Sequence, residues 1–296
     1  MNNRFLLVDG NFLMFQSFYA TYRDPENVMM SSKGVTTNGI HQFLMMLFNL
    51  VGELRPTHLF VAFDPKTKPE RSKVFADYKA GRTKAPSIIF EQFDNVKKIL
   101  DQLNIQHAEI DGAEADDLIA TLAQNKEGQN YIYSRDKDLL QLVNSNTSVI
   151  LRDSKSGSWL TTNLQNFNDK YGIQPNQIPD FKGLSGDASD NLPGVPGIGD
   201  KTAIKLLNEY KTFEGIYENI ENMTPGLQKK LNTGKEMGLM CRDLAILNTD
   251  IQDVQKPLDF YATKINFEGI TLIDELELYT VMQRIEKVSW LLLQDY

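Results

Sequence analysis

Residues 4–9 read RFLLVD and residues 58–63 read HLFVAF, with Asp64 directly after the second run. Each is an unbroken apolar stretch of strand length closed by an acid, the pattern of a strand buried on both faces. Between them, Asn11 to Tyr22 and Gly39 to Leu54 carry helical spacing, the second with Asn38 as its expected cap. Residues 88–103 (IIFEQFDNVKKILDQL) repeat the helical period behind a Pro86–Ser87 start. A short strand near 105–110, a helix from about Ala113 to Ala123, and strands at 130–134 and 147–151 continue the alternation. Strands alternating with helices predict an α/β domain with a mainly parallel sheet and right-handed crossovers. From Thr162 the strand signal fades, and segments 176–184, 200–210, 225–232 and 234–248 read as helices separated by Pro, Gly and Asn. The expected organisation is an α/β domain over 1–172, a smaller all-α domain over 173–260, and a helical extension over 261–296. In that extension Trp290 is expected to join the core.

Composition narrows the function classes. With 296 residues, 41% hydrophobic and 24% charged, the chain has the apolar content for a sizeable core. Its single cysteine, Cys241, excludes a disulfide framework and a thiolate zinc site. His41, His58 and His107 are scattered outside any ligand spacing. No segment approaches the roughly 20 apolar residues of a membrane span, and MNNRFLLVDG enters a strand too early for a signal peptide. A soluble, cytoplasmic protein is expected. The net charge of −8 argues against nucleic acid only if the charge is evenly spread.

It is not evenly spread. Asp9, Asp64 and Asp136 sit at or just past strand ends, where ligands bind in doubly wound sheets. A lone acid there is usually a turn or helix cap; three from separate strands shift that balance. AEADD adds Glu114, Asp116 and Asp117 in a first helical turn, where acids are also favoured by the helix dipole. Asp138 follows in RDKDL, and Asp187 and Asp190 lie three apart in GDASDN. Carboxylates this dense repel and would bind protons unless cations neutralise them. An all-oxygen set selects a hard ion such as Mg²⁺ or Mn²⁺, and two ions about 4 Å apart suit phosphodiester chemistry.

Residues 66–84 hold the opposite charge: Lys66, Lys68, Arg71, Lys73, Lys79, Arg82 and Lys84 against Glu70 and Asp77, a local net of +5. Most such runs are solvated loops. This one leaves a candidate metal ligand and contains Tyr78 among its cations, a pattern that suits a single strand with a base stacked on the ring. Further on, GVPGIGDKTAIKLL (194–207) places Gly194, Gly197 and Gly199 in a loop before a helix bearing Lys201 and Lys205. The glycines permit close approach of a phosphate and the helix start supplies amides, a helix–hairpin–helix type of backbone anchor. A nucleotide-binding loop fails on spacing, because GxGxxG and GKS/GKT are absent.

In order, LLVDGN, FVAFD, YKAGR, AEADD, RDKDLLQL and GDASDNLPGVPGIGDKTA resemble the motifs of the 5′-nuclease (flap endonuclease) family over roughly residues 4–250, in particular the 5′→3′ exonuclease domain of bacterial DNA polymerase I. The resemblance implies a PIN-like or resolvase-like sheet with a helical arch at about 65–90 and a helix-3-turn-helix domain. It implies metal ligation by Asp9, Asp64, Glu114, Asp116, Asp117, Asp136, Asp138, Asp187 and Asp190. It places Lys79 and Arg82 at the scissile phosphate and gives Tyr78, Gly194, Gly197, Gly199, Lys201 and Lys205 to DNA binding. The implied cofactors are two or more Mg²⁺ or Mn²⁺ ions, with K⁺ in the hairpin loop. The implied substrate is DNA with a 5′ end, flap or nick, or an RNA–DNA primer junction, cut by a monomer in replication and repair, with DNA polymerase or ligase as partners. Gln16 stands where the family commonly has arginine, and Arg135 where a small residue precedes the aspartate. The rival readings are a PIN-like ribonuclease, which lacks the arch and hairpin, and a non-catalytic DNA-structure-binding protein, which would lack a ligand acid.

Overall fold

The computed structural model describes residues 3–24, 26–81, 85–153 and 155–293. A six-stranded sheet forms the centre, built from β1 (Arg4–Asp9), β2 (His58–Phe63), β3 (His107–Glu109), β4 (Gln129–Tyr133), β5 (Thr147–Arg152) and β6 (Trp159–Thr162). The order is β3-β2-β1-β4-β5-β6, parallel except for β6, which runs antiparallel to β5. The chain leaves β1 toward β2 and later returns to its other side at β4, so the topology reverses between β1 and β4.

The two apolar runs are buried on both faces for a visible reason. Leu6, Val8, Leu59, Val61 and Phe63 face one side, covered by α1 (Gly10–Thr21), α2 (Asn38–Leu54) and α4 (Ile88–Gln102). Phe5, Leu7, Phe60 and Ala62 face the other, against α5 (Ala115–Leu122). Between β2 and α4 the only helical turn among the described residues is α3 (Arg71–Val74). Among the described residues of the arch expected over 65–90, helix is confined to α3 and the start of α4, the rest being turns, bends and irregular backbone, as Pro65, Pro69 and Pro86 withhold amide donors.

Beyond β6 the helices are α6 (Leu164–Tyr171), α7 (Ile178–Ser185), α8 (Asp200–Tyr210), α9 (Phe213–Glu218), α10 (Pro225–Ala245), α11 (Thr271–Glu275) and α12 (Tyr279–Leu293). The expected helices at 225–232 and 234–248 are one, α10, because Gly234 and Gly238 are buried against Val195 and Phe213 and do not interrupt it. The core of this helical part is continuous with the α5 face of the sheet. The C-terminal extension packs back through Val281, Ile285 and Val288, three positions at helical spacing. Trp290 falls off that stripe and is 63% exposed, correcting its expected place in the core. Asn38 is the first residue of α2 rather than its cap, and its amide donates to Thr21 Oγ1 at 3.1 Å.

Candidate metal centre and nucleic-acid interface

The acids converge where the sheet order reverses. Asp9 ends β1, caps α1 by accepting from the Phe12 N–H at 2.8 Å, and accepts from Ser134 Oγ at 2.7 Å, so β4's next residue fixes its second oxygen. Asp64, just past β2, accepts from Asn11 Nδ2 at 2.9 Å and from the Ala115 N–H at 2.8 Å. Asp136 is set by its N–H donating to Ser134 Oγ at 3.0 Å, and the Asp138 N–H in turn donates to Asp136 Oδ1 at 2.8 Å. Asp116, in the first turn of α5, completes the group. One carboxylate oxygen from each of Asp116, Asp136 and Asp138 lies within 4.8 Å of the others.

Burial and mutual repulsion act together on these carboxyls. Burial pushes Asp9 up to about 7, with Asp64 and Asp136 adding to it against the hydrogen bonds from Phe12 and Ser134. Burial, then Asp136 and Asp9, raise Asp116 well above the ordinary carboxylate range. Asp138 also reaches about 7, burial outweighing the neighbouring Lys182. Oxygen donors alone, held this close and pushed toward neutrality, fit a hard divalent ion, which would restore the ionised forms.

Protein cations hold two further groups of acids, the second of which shares Asp138 with the cluster. Glu114 caps α5 and pairs with Lys79 and with Arg71 Nη1 (2.6 Å), while Tyr78 Oη donates to it at 3.3 Å. Burial would raise its carboxyl, but Lys79 and Arg71 outweigh that and hold it below the usual range. Asp117 accepts from both Arg71 Nη atoms and from the N–H groups of Glu114 and Asn248. The third acid group is bridged by Lys182 of α7, which pairs with Asp138 and, at 2.5 Å, with Asp187. Asp187 also accepts from Ser189, and Asp190 is buried with its carbonyl accepting from the Lys79 N–H at 3.0 Å.

The basic segment folds down onto this edge. Lys79 adopts φ +58, and Asn191 Nδ2 donates to the Asp77 carbonyl at 2.8 Å, so the segment is docked on the GDASDN loop. Tyr78, expected to offer its ring to a base, is 6% exposed and packs with Leu192, Cys241 and Leu244. That correction follows from its neighbours: the ring closes a small apolar cluster between the segment and α10. Arg82 lies outside the described residues. Gln16 is engaged by Tyr133 Oη at 3.1 Å, and Arg135 lies 6.0 Å above the Phe12 ring at the mouth of a cleft.

That cleft, of about 1070 Å³, runs from Asp136 and Asp187 past Lys137, Lys170 and Lys182 to Asp200 at the start of α8. In the hairpin the three glycines differ. Gly194 is buried with φ +64, and a Cβ there would lie 2.3 Å from the Gly186 N. Gly197 has φ +82, whereas Gly199 precedes α8 with open space around its Cβ position. Lys201 and Lys205 are exposed one turn apart on α8. Packing therefore requires glycine at 194 but not at 199.

Arg71, Lys182, Ser134 and Asn11 were not singled out by sequence. Lys182 had a signal: it falls one turn after Ile178 on a buried stripe, where a cation requires a partner. Among the described residues no helix is long and apolar enough to cross a membrane.

Residues 4–172 match the family model described as 5′-3′ exonuclease, N-terminal resolvase-like domain, and residues 173–268 that described as 5′-3′ exonuclease, C-terminal SAM fold. A 5′-3′ exonuclease of Bacillus subtilis is 38% identical over 84% of this chain and 85% of its own length. DNA polymerase I of the same organism is 35% identical over 97% of this chain, which spans 32% of that polymerase. A bacteriophage T5 flap endonuclease, solved with DNA and metal ions, shares the fold with a TM-score of 0.65 at 18% identity, over 97% of this chain and 99% of its own.

Proposed function

The chain belongs to the 5′-3′ exonuclease family, and on that premise we propose that it hydrolyses phosphodiester bonds of DNA bearing a free 5′ end, flap or nick, with Mg²⁺ or Mn²⁺ as cofactor. The observation that carries the reading is the convergence of Asp116, Asp136 and Asp138 oxygens within 4.8 Å at the reversal point of the sheet. Asp9, oriented by Ser134, stands beside them, and Asp64, Asp187 and Asp190 extend the acidic edge. These acids would hold divalent ions, whose chemistry when bound would be to polarise a water and offset charge on the leaving oxygen.

The chain's own groups do the rest. Lys79, already 17% exposed at the edge of the acids, is placed to meet a phosphoryl oxygen, with Arg82 in the same segment as its partner. The cleft leads from the acids to the hairpin, where the Gly199 region, Lys201 and Lys205 hold the duplex backbone without reading sequence. K⁺ in the hairpin loop would add to that anchor. Asp117, fully engaged by protein donors, serves through Arg71.

Side-by-side cleavage of a 5′-flap DNA and a matched RNA, with Mg²⁺ and with chelator, tests the reading. Metal-dependent cutting of DNA that leaves a 5′-phosphate, and that is lost in Asp116→Asn, is expected. Preferential cutting of RNA would assign the chain to ribonuclease chemistry, and tight flap binding without cutting would make it a structure-binding protein.

A further inference from the structure

Arg71 opens α3 at the root of the basic segment, and its side chain is 14% exposed. Its guanidinium has five N–H donors, and each has an acceptor. Nε donates to the Leu244 carbonyl at 3.0 Å and Nη2 to that of Ile246 at 3.1 Å, at the end of α10. Nη1 donates to Glu114 Oε2 at 2.6 Å and Asp117 Oδ2 at 2.9 Å, while Nη2 also reaches Asp117 Oδ1 at 2.7 Å. One planar group thus joins the basic segment, the acidic start of α5 and the last turn of the helical part. Lys79 meets the other oxygen of Glu114 in a different manner: one ammonium on a flexible stem, lying 4.9 Å over the Tyr78 ring.

We propose that Arg71 is a positioning residue, the fixed counter-ion that holds Glu114 toward the acid cluster, while Lys79 is its exchangeable counter-ion. A bound phosphate would draw Lys79 away, and the freed Glu114 Oε1 could then help hold a divalent ion. Arg71 keeps the carboxylate in place throughout, because its remaining bonds to Asp117, Leu244 and Ile246 do not depend on Glu114. Only arginine meets this arrangement. A lysine keeps the charge but loses the two-pronged contact with Asp117 and the carbonyl contacts. The inference rests on the nuclease reading of the site.

The test compares the full chain with Arg71→Lys and Lys79→Met. Mn²⁺ binding is titrated without DNA, flap affinity is measured in Ca²⁺, single-turnover cleavage in saturating Mg²⁺, and folding by thermal melts. Arg71→Lys should weaken Mn²⁺ binding and slow cleavage by about 10-fold or more while flap affinity stays within about threefold. Lys79→Met should bind Mn²⁺ at least as tightly as the wild type, since a competing cation is gone, although its cleavage is slow. Opposite effects of two lost cation contacts on one carboxylate are not what a merely structural role produces. Wild-type Mn²⁺ affinity and cleavage in Arg71→Lys would overturn the proposal, as would equal weakening of Mn²⁺ binding in both variants. Should Arg71→Lys not fold, Asp117→Asn removes its two-pronged acceptor and must weaken Mn²⁺ binding in the same direction; unchanged binding there also overturns it. A wild-type chain that does not cut flap DNA refutes the nuclease reading, and the Mn²⁺ titrations still judge Arg71.

Discussion

Replacing Lys182 by Met leaves two buried acids without their shared cation. The ammonium bridges Asp138 and Asp187, whose side chains are 8% and 14% exposed against 6% for the lysine, so solvent screens the contacts little. Breaking a buried pair by removing one partner costs about 3–5 kcal/mol. The lower end applies here, because Asp138 has a carboxyl near 7 and can escape by taking a proton. The sign with pH follows from the partners. Burial opposes ionisation of Asp187, but Lys182 and Ser189 hold its carboxyl below the usual range. A depressed carboxyl stabilises the fold above its unfolded pKa and loses that contribution as pH falls through the folded value. For Asp187 that loss falls below the ordinary carboxylate range. Between pH 8 and 5 the deficit follows Asp138, whose carboxyl is near 7 beside Lys182 and rises further without it. The deficit of Lys182→Met is therefore largest at pH 8 and shrinks toward pH 5, where a proton on Asp138 replaces the lost cation. Thermal melts in chelator should show a Tm about 6 °C below wild type at pH 8, from a loss of about 3 kcal/mol at roughly 2 °C per kcal/mol. Adding Mg²⁺ should narrow the gap. Equal Tm values at pH 8 in chelator, or a deficit that grows on acidification, would refute the assignment of Lys182 as the counter-ion.

Three further outcomes are expected. Between pH 4 and 7 the metal-free protein should lose stability as pH rises, because Asp9 and Asp138 have carboxyls raised to about 7 and favour the fold only while protonated; melts with and without Mg²⁺ should diverge over that range. Gly194→Ala should destabilise by about 3 kcal/mol or more or fail to fold, since its Cβ would meet Gly186 N at 2.3 Å with φ +64, whereas Gly199→Ala should melt within about 1 kcal/mol of wild type. Replacing Lys201 and Lys205 together by Ala should weaken binding of all duplex sequences alike and lower the salt slope by about 2, as measured by affinity against salt concentration.

The centre of the sheet was legible because RFLLVD and HLFVAF need cover on both faces, and an acid can end such a strand only where the cover stops. The edge was not: β6 is four residues, WLTT, half-exposed and antiparallel, with no apolar run to announce it. Among the site residues, Asp116, Asp136 and Asp138 lie together and Asp9 is tied to Asp136 through Ser134, a proximity that positions after strands and in a first helical turn make legible. What the linear pattern did not carry was pairing across the fold. Arg71 and Lys79 belong to the same basic run, yet one is locked by five acceptors from two helices and the other, among the described residues, pairs with one carboxylate and lies over a ring. Tyr78 looked like a stacking platform amid cations, but long-range neighbours Cys241 and Leu244 bury it. Lys182 drew no notice among apolar residues, although only an ion pair makes its burial tolerable.

The central claim is that the carboxylates beyond β1 and β4 form a divalent-cation centre. Anomalous diffraction from crystals soaked in Mn²⁺ tests it most directly. A peak within coordinating distance of Asp116 and Asp136, about 2.0–2.3 Å from their oxygens, with Lys79 drawn away from Glu114, is the expected result. Mn²⁺ bound elsewhere, with Asp116, Asp136 and Asp138 still free of it at saturating concentration, would contradict it.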